Sequence, residues 1–201
     1  MLDDRLRPKI DLLIDPIARR VAAAGVTANT VTVAGLVLGL AAAASIAAQA
    51  YLAGLALVLA SRLFDGLDGA VARVKGKTDF GGYLDIVLDF AFYGAIPLGF
   101  VLADPQANAI PGAVLIFSFY VNGASFLAFA IMAEKNDLAS REKSAKSFFF
   151  STGLAEATET LAVFVLACLV PEWFPALAYL FAAICFYTAL SRIVMTGRLL
   201  G

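Results

Sequence analysis

The sequence predicts an all-α integral membrane protein, with six transmembrane helices preceded by an N-terminal amphipathic helix in the membrane interface. Three observations predict it. Hydrophobic residues make up 61% of the 201 residues and mean hydropathy is +0.86, whereas a soluble domain averages about 45–50% apolar residues. Six runs approach or exceed the ~20 residues that cross a bilayer core. Every Lys and Arg falls on what would be one side of such a bundle.

The first segment, from Lys9 to about Ala24, is too interrupted to be a span. Ile10, Leu13, Ile14, Ile17 and Val21 follow helical spacing, while Asp11, Asp15, Arg19 and Arg20 break the apolar run. That pattern suits a helix lying in the interface plane, with Pro8 in its first turn and Pro16 as a candidate bend. The expected spans are about 32–48, 52–74, 80–102, 109–132, 148–170 and 174–194. Thr78 or Asp79 is positioned to cap the third. The expected division is 1–27 as a cytoplasmic interfacial segment and 28–201 as a six-helix transmembrane catalytic domain.

The charges orient the bundle. Arg5, Arg7, Lys9, Arg19 and Arg20 precede the first span. Arg62, Arg73, Lys75 and Lys77 flank the second-to-third connection, and Lys135, Arg141, Lys143 and Lys146 the fourth-to-fifth. Arg192 and Arg198 lie at the C-terminal end. Together these are all 15 basic residues. The positive-inside rule then puts both termini in the cytoplasm. Net charge is −1 and excludes no partner class, although nothing in the chain suggests nucleic acid. The chain has no histidine, which excludes a His base, a His triad and a His metal site. Cys168 and Cys185 lie in apolar spans and are expected as small buried hydrophobes. No cleaved leader is expected, because Asp11 and Asp15 interrupt the h-region it would need.

Against this apolar background, "RLFDGLDGAVARVKGKTDFGGYLDIVLDF" carries Asp65, Asp68, Asp85 and Asp89 within 25 residues. Spacings of three and four put each pair on one helical face. The short turn between the two spans makes them antiparallel neighbours, so the faces can meet. Isolated carboxylates at membrane depth cost at least a few kcal/mol each, and four together repel unless protonated or bound to cations. Divalent Mg²⁺ or Mn²⁺ suits carboxylate oxygens. Two such ions could polarise a phosphate and neutralise a leaving group. Gly66, Gly69, Gly81 and Gly82 allow close backbone approach, and Arg73 has the fork geometry for phosphate. Two other readings stay open on spacing alone. The aspartates could pair with Arg62, Arg73, Lys75 and Lys77 as a solvated rim, or they could line a cation or proton pathway in a transporter.

At these residues the sequence resembles the CDP-alcohol phosphotransferase family. Its signature is D-x-x-D-G-x-x-A-R, then seven or eight residues, then G-x-x-x-D-x-x-x-D. Asp65, Asp68, Gly69, Ala72 and Arg73 fill the first half, and Gly81, Asp85 and Asp89 the second. The resemblance implies transfer of a substituted phosphate, such as phosphatidyl, from a CDP-linked donor such as CDP-diacylglycerol to an alcohol acceptor, with release of CMP. It further implies Asp65, Asp68 and Asp85 as metal ligands, and Asp89 as general base near a second metal. A CDP-binding set would be Asp68, Gly69, Ala72, Arg73 and Gly81. The segment "GVTANTVT" resembles the family's lead into its first span, with Ala28 where Pro is common. Asn29 there is a candidate nucleotide contact or helix cap. A homodimer in the cytoplasmic (inner) membrane, with its active site facing the cytoplasm, is the implied assembly.

The acceptor site is less legible. Glu156 and Glu159 sit one turn apart in the fifth span, suited to acceptor hydroxyls, a cationic head group, or ion pairs with Arg192, Lys143 or Lys146. Lys143 and Lys146 suit a phosphorylated acceptor but also follow from the charge rule alone. Ser118, Asn122 and Ser125 share a face of the fourth span and are expected to hydrogen-bond between helices.

Overall fold

The computed structural model describes residues 14–136, 155 and 157–200. Every regular element in it is helical. Helix α1 is described over residues 14–23. It is followed by α2 (Ala28–Ala47), α3 (Tyr51–Lys75), α4 (Asp79–Ala103), α5 (Pro105–Lys135), α6 (Ala157–Leu169), a 3-10 turn (Pro171–Trp173) and α7 (Phe174–Leu200).

Local chemistry sets the ends. Thr27 caps α2, its hydroxyl accepting from the Thr30 amide at 3.2 Å. The helix therefore begins before the apolar run does, and Asn29 lies inside its first turn. The cap expected as one possible role for Asn29 belongs to Thr27. Helix α3 runs unbroken through Gly66 and Gly69, and Arg73 and Lys75 in its last turn suit the helix dipole. Gly76, at φ +101°, supplies the backbone that ends it. Thr78 caps α4 by accepting from the Gly81 amide at 3.0 Å. Asp104 caps α5, accepting from Ala107 N at 3.1 Å, and Pro105 fills the first turn.

Among the described residues, α2, α4, α5 and the stretch Pro171–Leu200 are long and apolar enough to cross a membrane. The chain is an all-α integral membrane protein. Helix α3 has comparable length but carries the charged stretch. The described part of α6 is 13 residues, and the start expected for that span, near residue 148, lies outside the described residues, as do residues 1–13.

Large apolar side chains face outward along the bundle, as at Leu52, Ile110, Tyr120 and Leu180. Lipid tails are as apolar as these side chains, so close packing rather than apolar burial holds the helices together. Helix α2 packs along α3 and α4, α5 along α7, and α4 joins the two groups through α5. Gly99 shows how close the approach is, since a Cβ there would meet the Ala43 carbonyl oxygen at 2.6 Å. Phe92, Phe100, Phe164 and Phe174 fill the centre, with Phe100 stacked on Phe174 at 4.5 Å between ring centroids. A second, smaller cluster lies under α1. Ile14 and Ala18 are buried there with Val31 of α2 and Ala70 and Val71 of α3.

Candidate active site

The facing ends of α3 and α4 bring the aspartates together. Asp65, Asp68 and Asp85 each offer a carboxylate oxygen within 4.8 Å of the others. With Thr32, Gly35, Ser61, Arg62 and Asp89 they line one cleft between α2, α3 and α4. Asp68 is 5% exposed, and its Oδ2 is buried without a hydrogen-bond partner among the described residues. A buried carboxylate oxygen with no donor is costly. Three hard oxygens converging on one point are the donor set that Mg²⁺ or Mn²⁺ prefers, so the residues fit a divalent ion.

Asp89 stands outside that triple. Its Oδ1 accepts from Arg62 Nη1 at 2.9 Å, and the same nitrogen lies 3.4 Å from Asp65 Oδ1. The guanidinium lies over the Phe92 ring, 3.7 Å from its centroid, and 5.6 Å from that of Tyr93. Behind it, Ser61 donates to the Gly35 carbonyl at 2.8 Å and ties α3 to α2. Arg62 was expected only as a rim counter-charge. The signal that could have found it is its position three before Asp65, on the same helical face.

The other expected residues fall around this cleft. Gly69 has open space where a Cβ would stand. At Gly81 a Cβ would lie 3.1 Å from Asn29 Oδ1, so the first turns of α2 and α4 meet at these two residues. Ala72 and Arg73 follow one turn along α3, and Arg73 Nη2 donates to Asp15 of α1 at 3.2 Å. Lys75 donates to the carbonyls of Gly25 and Val26, both at 3.0 Å. Of the four cations named for a rim, Arg62 is set against Asp65 and Asp89, Arg73 reaches Asp15 of α1, and Lys75 reaches the turn between α1 and α2.

On the acceptor side, Glu159 Oε2 is buried without a hydrogen-bond partner among the described residues. It sits at the start of α6, which packs on α3. Five residues on, Phe164 meets Phe92 and Tyr93 at 6.2 and 6.5 Å between ring centroids. Lys143, Lys146 and Glu156 lie outside the described residues. Arg192 donates to the Asn122 carbonyl at 3.0 Å, to its side chain at 3.1 Å, and to Ser125. That is the interhelical role expected of Asn122 and Ser125; Ser118 donates within its own helix, to Leu115 O, and its side chain also meets Cys185 of α7. Cys168 and Cys185 are free and buried.

Comparison with known proteins bears on the family and the fold. The family model for CDP-alcohol phosphatidyltransferases matches residues 25–195. The inner membrane protein YnjF of Escherichia coli is 45% identical over 193 residues, 96% of this chain and 94% of that protein. An archaetidylinositol phosphate synthase of Methanothermobacter thermautotrophicus is 42% identical over 97 residues, 48% of each chain. Among solved structures, the phosphatidylinositol phosphate synthase PgsA1 of Mycobacterium tuberculosis with CDP-DAG bound shares the fold. Its TM-score is 0.70 and its identity 24%, over 90% of this chain and 91% of that one. The same protein with manganese and citrate gives a TM-score of 0.70 at 23% identity, over 90% and 87%. With the signature aspartates gathered at one cleft and the family match running nearly end to end, this chain belongs to the CDP-alcohol phosphatidyltransferase family.

Proposed function

We propose that this chain transfers a phosphatidyl group from CDP-diacylglycerol to a small alcohol, releasing CMP, at the cytoplasmic face of an inner membrane. The observation that carries the reading is the convergence of Asp65, Asp68 and Asp85 in a cleft open beside Gly69. These three carboxylates would hold Mg²⁺ or Mn²⁺, with Asp89 contributing to a second ion. When bound, the ions supply Lewis-acid polarisation of the donor phosphates and charge neutralisation on the leaving group.

The chain's own residues do the rest. Gly69 leaves room for the cytidine end, with Asp68 and Ala72 beside it, and Gly81 lets Asn29 come close to the first turn of α4. Arg73 offers its fork to a phosphate oxygen. Asp89 takes the proton as the acceptor oxygen bonds to the phosphorus distal to cytidine. The bond from that phosphorus to the bridging oxygen breaks, and its electron pair leaves with CMP. A carboxylate suits the base role in a chain without histidine. Glu159, with Glu156, Lys143 and Lys146, is the proposed acceptor side. A buried carboxylate oxygen of Glu159 without a partner among the described residues favours hydroxyls or a cationic head group there.

The wider proposal is six spans with both termini cytoplasmic, an interfacial segment over 1–27, a catalytic domain over 28–201, and a homodimer. The test is CMP release by purified protein in liposomes containing CDP-diacylglycerol, across a panel of neutral, cationic and phosphorylated alcohols. At least one acceptor should raise CMP release in a metal-dependent way. Ion flux in the same liposomes, with no release from any CDP-linked donor, would replace this reading with a transporter.

A further inference from the structure

Four aspartates line one cleft, but they are not equally placed. Three carboxylates converge on each other, while Arg62 sits closest to the fourth and within ion-pair reach of Asp65. Arg62 Nη1 sits 2.9 Å from Asp89 and 3.4 Å from Asp65. Its side chain is 15% exposed, and its Nε is buried without a hydrogen-bond partner among the described residues. The guanidinium cannot readily swing away. Phe92 lies against its face at 3.7 Å, and Ser61 lies 3.4 Å from Nη2. Phe92 itself is 1% exposed and wedged against Phe164 and Tyr93. A cation fixed in this way stays within ion-pair distance of its neighbours, although Asp65 and Asp89 are themselves 36% and 32% exposed.

We propose that Arg62 is a positioning residue that reserves Asp89, so that the free protein takes one divalent ion at Asp65, Asp68 and Asp85 and a second only with the donor's diphosphate. The inference rests on the phosphotransfer reading above. Its physical basis is competition. A second dication approaching Asp89 meets a positive charge already bonded to that carboxylate. The donor's diphosphate brings negative charge that offsets this repulsion. Meanwhile Arg62 keeps the Asp89 carboxylate oriented for the incoming hydroxyl, which a loose side chain would not do.

The test is Mn²⁺ binding to protein in detergent, read from loss of the free-ion electron paramagnetic resonance signal, together with turnover. The unsubstituted protein should bind one Mn²⁺ per chain without donor. Arg62→Met should bind a second, its affinity for it raised on the order of tenfold or more. Turnover should fall on the order of a hundredfold because Asp89 loses its orientation. Arg62→Lys should keep the one-ion stoichiometry through its charge, yet still lose turnover, because an ammonium neither forks nor stacks. Tighter Mn²⁺ binding with slower turnover is a combination that simple loosening of the site does not give. One ion bound by both the unsubstituted protein and Arg62→Met would overturn the inference and leave the transfer reading standing. Absence of Mn²⁺ binding to the unsubstituted protein would overturn the metal assignment and this inference with it. Should Arg62→Met fail to fold, Arg62→Lys decides, and full turnover in that variant overturns the proposal.

Discussion

At the scale of single residues, the site depends on carboxylates that would be costly without a bound cation. Asp68 is the most enclosed, and one of its oxygens has no donor among the described residues. Asp68→Asn removes a direct ligand and should weaken Mn²⁺ binding by at least the roughly 10–100-fold typical of losing an outer-shell partner, as measured by titration. Asp89→Asn should abolish CMP release while leaving CDP binding in place, because Asp89 lies outside the convergent triple. Equilibrium CDP binding and single-turnover CMP release on the same sample separate the two effects, and retained turnover would refute the base role. The signature aspartates were legible in the sequence because spacings of three and four project to one face. Arg62 was not, because an Arg beside acidic residues resembles any counter-charge until Phe92 is seen beneath it. The Asn29 role was also open, since "TANT" offers three capping side chains and only backbone geometry selects Thr27.

At the scale of elements, the order of helices was legible and their ends less so. Hydropathy marks where the chain leaves apolar surroundings, whereas capping marks where a helix begins. Helix α2 starts at Ala28 behind its Thr27 cap, and α5 at Pro105 behind Asp104, each ahead of its apolar run. At 1.5 Å per residue α5 is about 46 Å long, more than the ~30 Å of a hydrocarbon core, so it extends beyond one. Packing between elements depends on close backbone approach. Gly99→Val would drive a side chain into the Ala43 carbonyl, which cannot rotate away. Thermal denaturation in detergent should show destabilisation of about 1–3 kcal/mol. Gly94→Ala, at a position open to space on the same helix, should have little effect. Helix α1 is fastened to α3 by Asp15–Arg73 and by Ile14 and Ala18 against Ala70 and Val71. Helix α1 therefore touches Arg73, the residue proposed to meet a donor phosphate.

For the whole molecule, the distribution of basic residues is the feature that orients the bundle. If the charge rule holds, Lys77 in the α3–α4 turn faces the cytoplasm and Gln106 at the start of α5 faces the other side. Both native cysteines are buried, so single Cys replacements at these two positions can be labelled with a membrane-impermeant maleimide. Lys77→Cys should react in inverted vesicles and Gln106→Cys in right-side-out vesicles; the reverse pattern would invert the topology. The central claim is that the carboxylate cleft of this family member is a metal-held phosphotransfer site. The most direct measurement is CMP release from CDP-diacylglycerol by chelator-stripped protein reconstituted with a responsive acceptor. The account predicts no release until Mg²⁺ or Mn²⁺ is restored, then recovery that Asp65→Asn, Asp68→Asn and Asp85→Asn each suppress. Release that persists after complete metal removal, or that survives loss of these carboxylates, would contradict it.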